Sequence, residues 1–185
     1  MKREIYQVWF LNAQKDLKNI LKNEMRKHII ELKEEYDDLY GYAILPGESY
    51  EVNTLVVAYN RVSDIKEESA YFRYSIDEWE NWDHNALASI NSRIKEINDN
   101  FYSWHPENSK SIYLDKIKQS HISSFHEIIL SALKDLAEED LFDFGSHERF
   151  IAIWISDSNS EIIKKSIREL NTEKVIKEYF EEFEE

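Results

Sequence analysis

The sequence predicts an α+β domain, with about four strands, mainly antiparallel, and several helices packed on the sheet. Three observations carry that expectation. Strand-like segments gather early and helical runs follow, instead of alternating as βαβ units do. Most of the chain repeats apolar residues every three and four positions, the spacing of one helix face. Only three Gly and two Pro interrupt 185 residues, 42% of which are hydrophobic, so the chain can support a core. A single domain over residues 1–185 is expected, needing no covalent staple.

The first element reads as one long helix. Leu17, Ile20, Leu21, Met25, His28, Ile29, Leu32 and Tyr36 step by three and four, and Ile5, Val8, Trp9 and Ala13 continue that face. Residues 39–45 are aromatic and branched, as strands are, and Pro46-Gly47 is a turn dipeptide. Residues 52–59 read as a second strand, forming an antiparallel hairpin with the first across a loop of about five residues. Tyr71 to Tyr74 reads as a third strand. Ser75-Ile76-Asp77-Glu78 has the capping-box form, which starts a short helix carrying Trp79 and Trp82 on one side.

Leu87, Ile90, Ile94, Ile97 and Phe101 then mark a one-faced helix with Asp83 as its cap. Residues 103–111 read as a loop, and a longer helix covers 117–137. Gly145 marks a break, and the apolar run 150–155 reads as a buried central strand. Ser158 to Glu161 repeats the capping-box form ahead of helices over 162–170 and 175–183, with Asn171 ending the first and Thr172 capping the second. The long helices are expected to cover one face of the sheet.

Charge narrows the partners. With 23 Lys and Arg against 37 Asp and Glu, the formal charge is −14. That charge repels phosphate backbones, so nucleic acid is not an expected partner. It favours approach to a basic one. No apolar run approaches the roughly 20 residues that cross a bilayer, and no signal-peptide pattern is visible, so a cytoplasmic protein is expected.

Chemical motifs are sparse, and no cofactor or metal is expected. His126-Glu127 opens the His-Glu-x-x-His form, but position 130 is Leu. Gly41, Gly47 and Gly145 are too scattered to cradle a phosphate. No Gly-x-Ser-x-Gly elbow and no Cys offers a nucleophile. Two polar positions stand out instead. Arg73 lies between Phe72 and Tyr74, and a strand-borne guanidinium needs a carboxylate or carbonyl partner. Asp157 follows the apolar strand, where it can cap the next helix or pair with Arg73. Trp79 and Trp82, beside Asp77, Glu80 and Asp83, offer either core rings or an acidic, aromatic interface.

Several short motifs carry a resemblance. The hairpin ends in Ala58-Tyr59-Asn60, Phe72-Arg73-Tyr74-Ser75 precedes Glu78-Trp79, Phe144-Gly145 precedes the strand 150–155 and Ser156-Asp157-Ser158, and Ser166 precedes Leu170-Asn171. In this order and spacing they resemble a bacterial family catalogued as domain of unknown function 4303, over roughly residues 5–180. Tyr74 replaces the family's usual Trp after the arginine, and Arg61 its usual Thr after the asparagine. The resemblance implies an α+β fold and no assigned activity; by analogy it suggests an immunity-type protein.

The leading expectation is therefore a non-enzymatic protein–protein interaction module, in its most concrete form an immunity-type neutraliser of a basic toxin. Asp77, Glu78, Glu80 and Asp83 steer the encounter in that reading, and Trp82 supplies desolvated contact area. The alternative is a small hydrolase or ligand-binding protein with a site around Arg73 and Asp157. A deep pocket at those groups favours the alternative.

Overall fold

A computed structural model describes residues 3–48, 51–104, 112–145 and 147–183. Helices α1 (Arg3–Ala13) and α2 (Leu17–Glu35) lead into strands β1 (Leu39–Glu48) and β2 (Glu51–Arg61). Short helix α3 (Ala70–Tyr74), a 3-10 turn over Ile76–Glu78 and strand β3 (Asn81–Asp83) follow. Then come α4 (Ala88–Trp104), α5 (Ile112–Glu138), β4 (Phe150–Ile153), α6 (Glu161–Leu170) and α7 (Glu173–Phe183). The fold is α+β, mainly helical, around one four-stranded sheet of order β3-β2-β1-β4. Two of its three pairings are antiparallel, and β4 runs parallel to β1. Among the described residues no helix is long and apolar enough to cross a membrane.

Helices cover both faces of this sheet, not one. Alternation along β1 sends Tyr42 and Ile44 to one side, against Met25 and Ile29 of α2 and the apolar stripes of α4 and α5. Ala43 and Leu45 go to the other side, with Tyr74, Trp79, Ile167 of α6 and Val175 and Tyr179 of α7. A sheet with hydrophobic residues in both alternations needs two covers, and the α3 and α7 segments supply the second.

Other expectations are corrected. The first helix is broken at residues 14–16, and Ile5 and Val8 of α1 are exposed instead of continuing the buried face of α2. Pro46-Gly47 lies within β1 at a register irregularity between Leu45 and Gly47, where Gly47 takes a φ of +87°. Residues 49–50, inside the expected hairpin loop, lie outside the described residues, as do 105–111 of the expected loop 103–111. Residues 71–74 are helical, because Ser69 caps them by accepting the Phe72 N–H at 3.4 Å and no strand edge pairs with them. Ser75 makes no side-chain cap, so the turn it opens stops at Glu78, and Trp82 instead joins β3 opposite Ala58. Before α6 the N-cap is Ser160 and its side chain makes no capping bond; Ser158 Oγ accepts the Ser160 N–H at 3.2 Å.

β4 is buried on both faces yet lies at the sheet edge, where it was expected to be central. Its outer backbone groups are answered by side chains. Asn171 accepts the Ile151 N–H through Oδ1 and donates to the Ile151 carbonyl through Nδ2, both at 2.7 Å. Ser166 Oγ accepts the Ile153 N–H at 3.0 Å. An amide side chain carries both donor and acceptor groups, so α6 and its C-cap Asn171 act as a substitute strand. The outer edge of β2 is closed the same way: Asn91 exchanges bonds of 2.7 and 2.9 Å with Leu55, and Asn98 donates to Val52 at 2.7 Å.

Candidate functional site

The site forms where α3 meets the sheet. Tyr40 is fully buried on the α7 side, and Asn60 is buried beside it because the hairpin register pairs Gly41 with Asn60. Asn60 Nδ2 donates to the Tyr40 hydroxyl at 2.9 Å, and that hydroxyl donates to the Arg73 carbonyl at 2.9 Å. Trp79 Nε1 donates to the same carbonyl at 3.3 Å. The last turn of α3 is thus pinned through its own unsatisfied carbonyl. Burial pushes the Tyr40 hydroxyl up to about 12, so it stays a donor through the neutral range.

The pinned helix lays the Arg73 guanidinium on the Tyr40 ring, 4.5 Å from its centroid. Arg61 shows the same stacking, 4.6 Å over Tyr36, but there both carboxylate oxygens of Asp64 accept from the guanidinium, at 2.6 and 2.5 Å. Arg73 has no such mate: among the described residues no ion pair joins it to a carboxylate, and its polar neighbour is the hydroxyl of Tyr74. Glu148 feels its charge, but that carboxylate is held by Lys174 and Thr172, each at 2.7 Å. Half-buried Arg73 instead lines a cleft of about 490 Å3. Val62, Ile65 and Ala70 form apolar walls, and Glu68, Ser69 and Glu178 add polar ones. Glu178 is positioned by the hydroxyl of Tyr74. The volume falls in the range of roughly 300–1,000 Å3 usual for small-ligand pockets.

The other residues singled out by sequence go to different places. Asp157 is exposed with a φ of +53° and forms neither the expected bridge to Arg73 nor a cap. Asp77 accepts from Ser156 Oγ at 2.5 Å, tying the 3-10 turn to the loop after β4. Glu80 pairs with Lys66 at 3.3 Å. Asp83 Oδ1 accepts the N–H groups of Asn85 and Ala86 at 2.7 and 3.0 Å, a cap one turn ahead of α4. Trp79 is buried, with its ring against Gly41, and half-buried Trp82 donates to the Trp79 carbonyl at 2.6 Å.

Asn60, Arg73, Tyr74 and Trp79, brought together here, belong to the motif order. Residues 17–172 match the family described as Domain of unknown function (DUF4303). The chain belongs to the DUF4303 family. No curated protein and no solved structure matches it. Within this DUF4303 chain the short motifs have structural roles. Asn60 and Trp79 mount α3, Ser166 and Asn171 close the β4 edge, and Arg73 is what the mount presents. Tyr40 and Glu178 escape sequence reading because each depends on a partner far along the chain. The alternating aromatic run Tyr40-Gly41-Tyr42 is the one local hint of the first.

A second cleft, of about 480 Å3, lies between α5 and α6 beside His126. Of its cations, Lys165 pairs with Glu127 at 2.7 Å, while Arg168 stacks 4.4 Å over Phe180 and, like Arg73, is paired with no carboxylate among the described residues. Among the described residues no group of three or more His, Asp or Glu could hold a metal. His126 is buried with Nε2 unpartnered, and burial holds its pKa below the ordinary value against the opposing charge of Glu127. Buried His28 is lowered for the same reason, opposed by Asp83 and Glu31.

These histidines set a pH dependence. The unfolded chain binds their protons at the ordinary pKa near 6.5, before the folded chain does. Stability is therefore full above that value and falls as pH drops toward the folded pKa, at about 1.4 kcal/mol per unit of separation for each group. The denaturant midpoint should fall between pH 7 and 5, and His126→Gln should flatten the decline. A midpoint constant over that interval would contradict the burial argument.

Proposed function

We propose that this DUF4303 chain is a small-molecule binding protein whose Arg73 receives the anionic group of its ligand. One observation carries the reading: a half-buried guanidinium, held over the Tyr40 ring, lines a cleft with no carboxylate paired to it among the described residues. Its N–H groups are bonded to no carboxylate among the described residues, and planar oxyanions such as carboxylates match that fork. Arg61 marks the contrast, since the same ring stacking there comes with an Asp64 clasp. The test is calorimetric titration of the protein with a panel of small carboxylates and phosphate esters. At least one is expected to bind, and Arg73→Gln should weaken it ten- to a hundredfold, as loss of a charged hydrogen-bond pair of about 1.5–3 kcal/mol implies. Binding indifferent to Arg73→Gln would refute the reading.

A second reading, a protein-interaction module, has its own supporting observation. Ile5, Val8 and Leu11 of α1 stand 58, 63 and 62% exposed, an apolar stripe at helical spacing. A chain of charge −14, with Asp77 and Glu80 exposed and Trp82 half-buried, suits a basic partner such as a toxin. Association with such a partner would slow at least tenfold from low to high salt. An unchanged rate would remove the electrostatic part of that reading.

A further inference from the structure

The Arg73 cleft carries charges of both signs that do not neutralise each other. Glu178 and Glu68 line the same cavity as Arg73, yet no ion pair joins either carboxylate to the guanidinium. Glu178 accepts the Tyr74 hydroxyl with Oε2, and among the described residues its Oε1 has no hydrogen bond. Glu68 is exposed at the rim. A guanidinium and two carboxylates thus share one cleft without an ion pair between them, with the Tyr74 hydroxyl next to both Glu178 and Arg73 and an apolar floor of Val62, Ile65 and Ala70.

We propose that the ligand is a zwitterion of the amino-acid type, with its carboxylate on Arg73, its ammonium between Glu178 and Glu68, and an apolar side chain on the floor. This rests on the reading of Arg73 as an anion receptor. Two arguments favour a zwitterion over a simple anion. A carboxylate alone would satisfy Arg73 and leave Glu178 facing its negative charge, whereas an ammonium a few bonds away satisfies Glu178 as well. In addition, a protein of charge −14 repels a net anion at long range, and a net-neutral zwitterion escapes that repulsion. A guanidinium and two carboxylates are the complement such a ligand requires.

The test compares matched probes on the full chain by calorimetry: L-leucine and L-phenylalanine against 4-methylpentanoate and 3-phenylpropanoate, which lack only the ammonium. An amino acid should bind at least tenfold more tightly than its deamino counterpart. Glu178→Gln should remove that advantage, weakening the amino acid while leaving the deamino acid bound at least as tightly as before. Glu68→Gln, an exposed change that does not touch the Tyr74 bond, should reduce the advantage in a protein of unaltered melting temperature. Equal binding of each matched pair, or an advantage that survives both variants, would overturn the zwitterion assignment and leave Arg73 as an anion site. Absence of binding by every probe and by the phosphate esters, or binding that survives Arg73→Gln, would overturn both.

Discussion

Asn171→Ala should destabilise the protein by about 3 kcal/mol. The change strips the partners from both polar groups of Ile151, a fully buried residue on the outer edge of β4. It also removes the Nδ2 bond of 3.0 Å to the Ile167 carbonyl near the end of α6. Each buried backbone group left unsatisfied costs about 1–3 kcal/mol, and the side chain's own burial is small beside that. Ser166→Ala orphans the Ile153 N–H and removes the hydroxyl's bonds to the Ile163 carbonyl at 2.7 Å and, weakly, to the Ile153 carbonyl at 3.5 Å, and should cost about half as much. Denaturant midpoints and the hydrogen-exchange rate of the Ile151 amide would measure both effects. A loss below about 0.5 kcal/mol for Asn171→Ala would mean that water takes over the edge, and that α6 is not the substitute strand described.

Gly41→Ala should cost about 1–3 kcal/mol and also weaken the Arg73 site, although residue 41 does not touch the cleft. A Cβ at Gly41 would lie 2.6 Å from Cη2 and 2.9 Å from Cζ2 of Trp79. The ring cannot yield easily. It stands edge-on to Tyr40 and Phe150, with centroids 6.1 and 6.0 Å away, and its Nε1 holds the Arg73 carbonyl. Displacing it loosens the end of α3 that carries Arg73. In a Trp79→Phe background the space is open, so the alanine should be far better tolerated, giving a coupling of about 1 kcal/mol or more in a double-mutant cycle. Additive effects would show that the two residues do not collide.

How much of this was legible depended on whether the deciding contact was local. The stripe Leu87, Ile90, Ile94, Ile97 and Phe101 is a helix face by spacing alone, and α4 follows it. Tyr71 to Tyr74 has the composition of a strand, and what decides against it is a cap from Ser69 and the lack of a free edge. β3 is three residues long with no apolar pattern; it exists because the β2 edge at Val57–Tyr59 offers it hydrogen bonds. At the site, Arg73 is legible as a guanidinium in need of a partner. Its platform is not, because Tyr40 and Asn60 meet only through the hairpin register, and Glu178 arrives from the last helix. Asp157 is attractive in sequence because it follows a buried strand, but the backbone there turns through positive φ and leaves it exposed.

The account turns on the state of one guanidinium, which nuclear magnetic resonance can read directly. The Nε–Hε resonance of Arg73 should shift and its exchange with water should slow as L-leucine or another bound carboxylate probe is added. The Arg61 resonance, already clasped by Asp64, should stay in place and serve as the internal reference. An Arg73 signal that is unmoved by a ligand shown to bind, or that shifts no more than that of Arg61, would contradict the claim that this residue is held open for a ligand's anionic group.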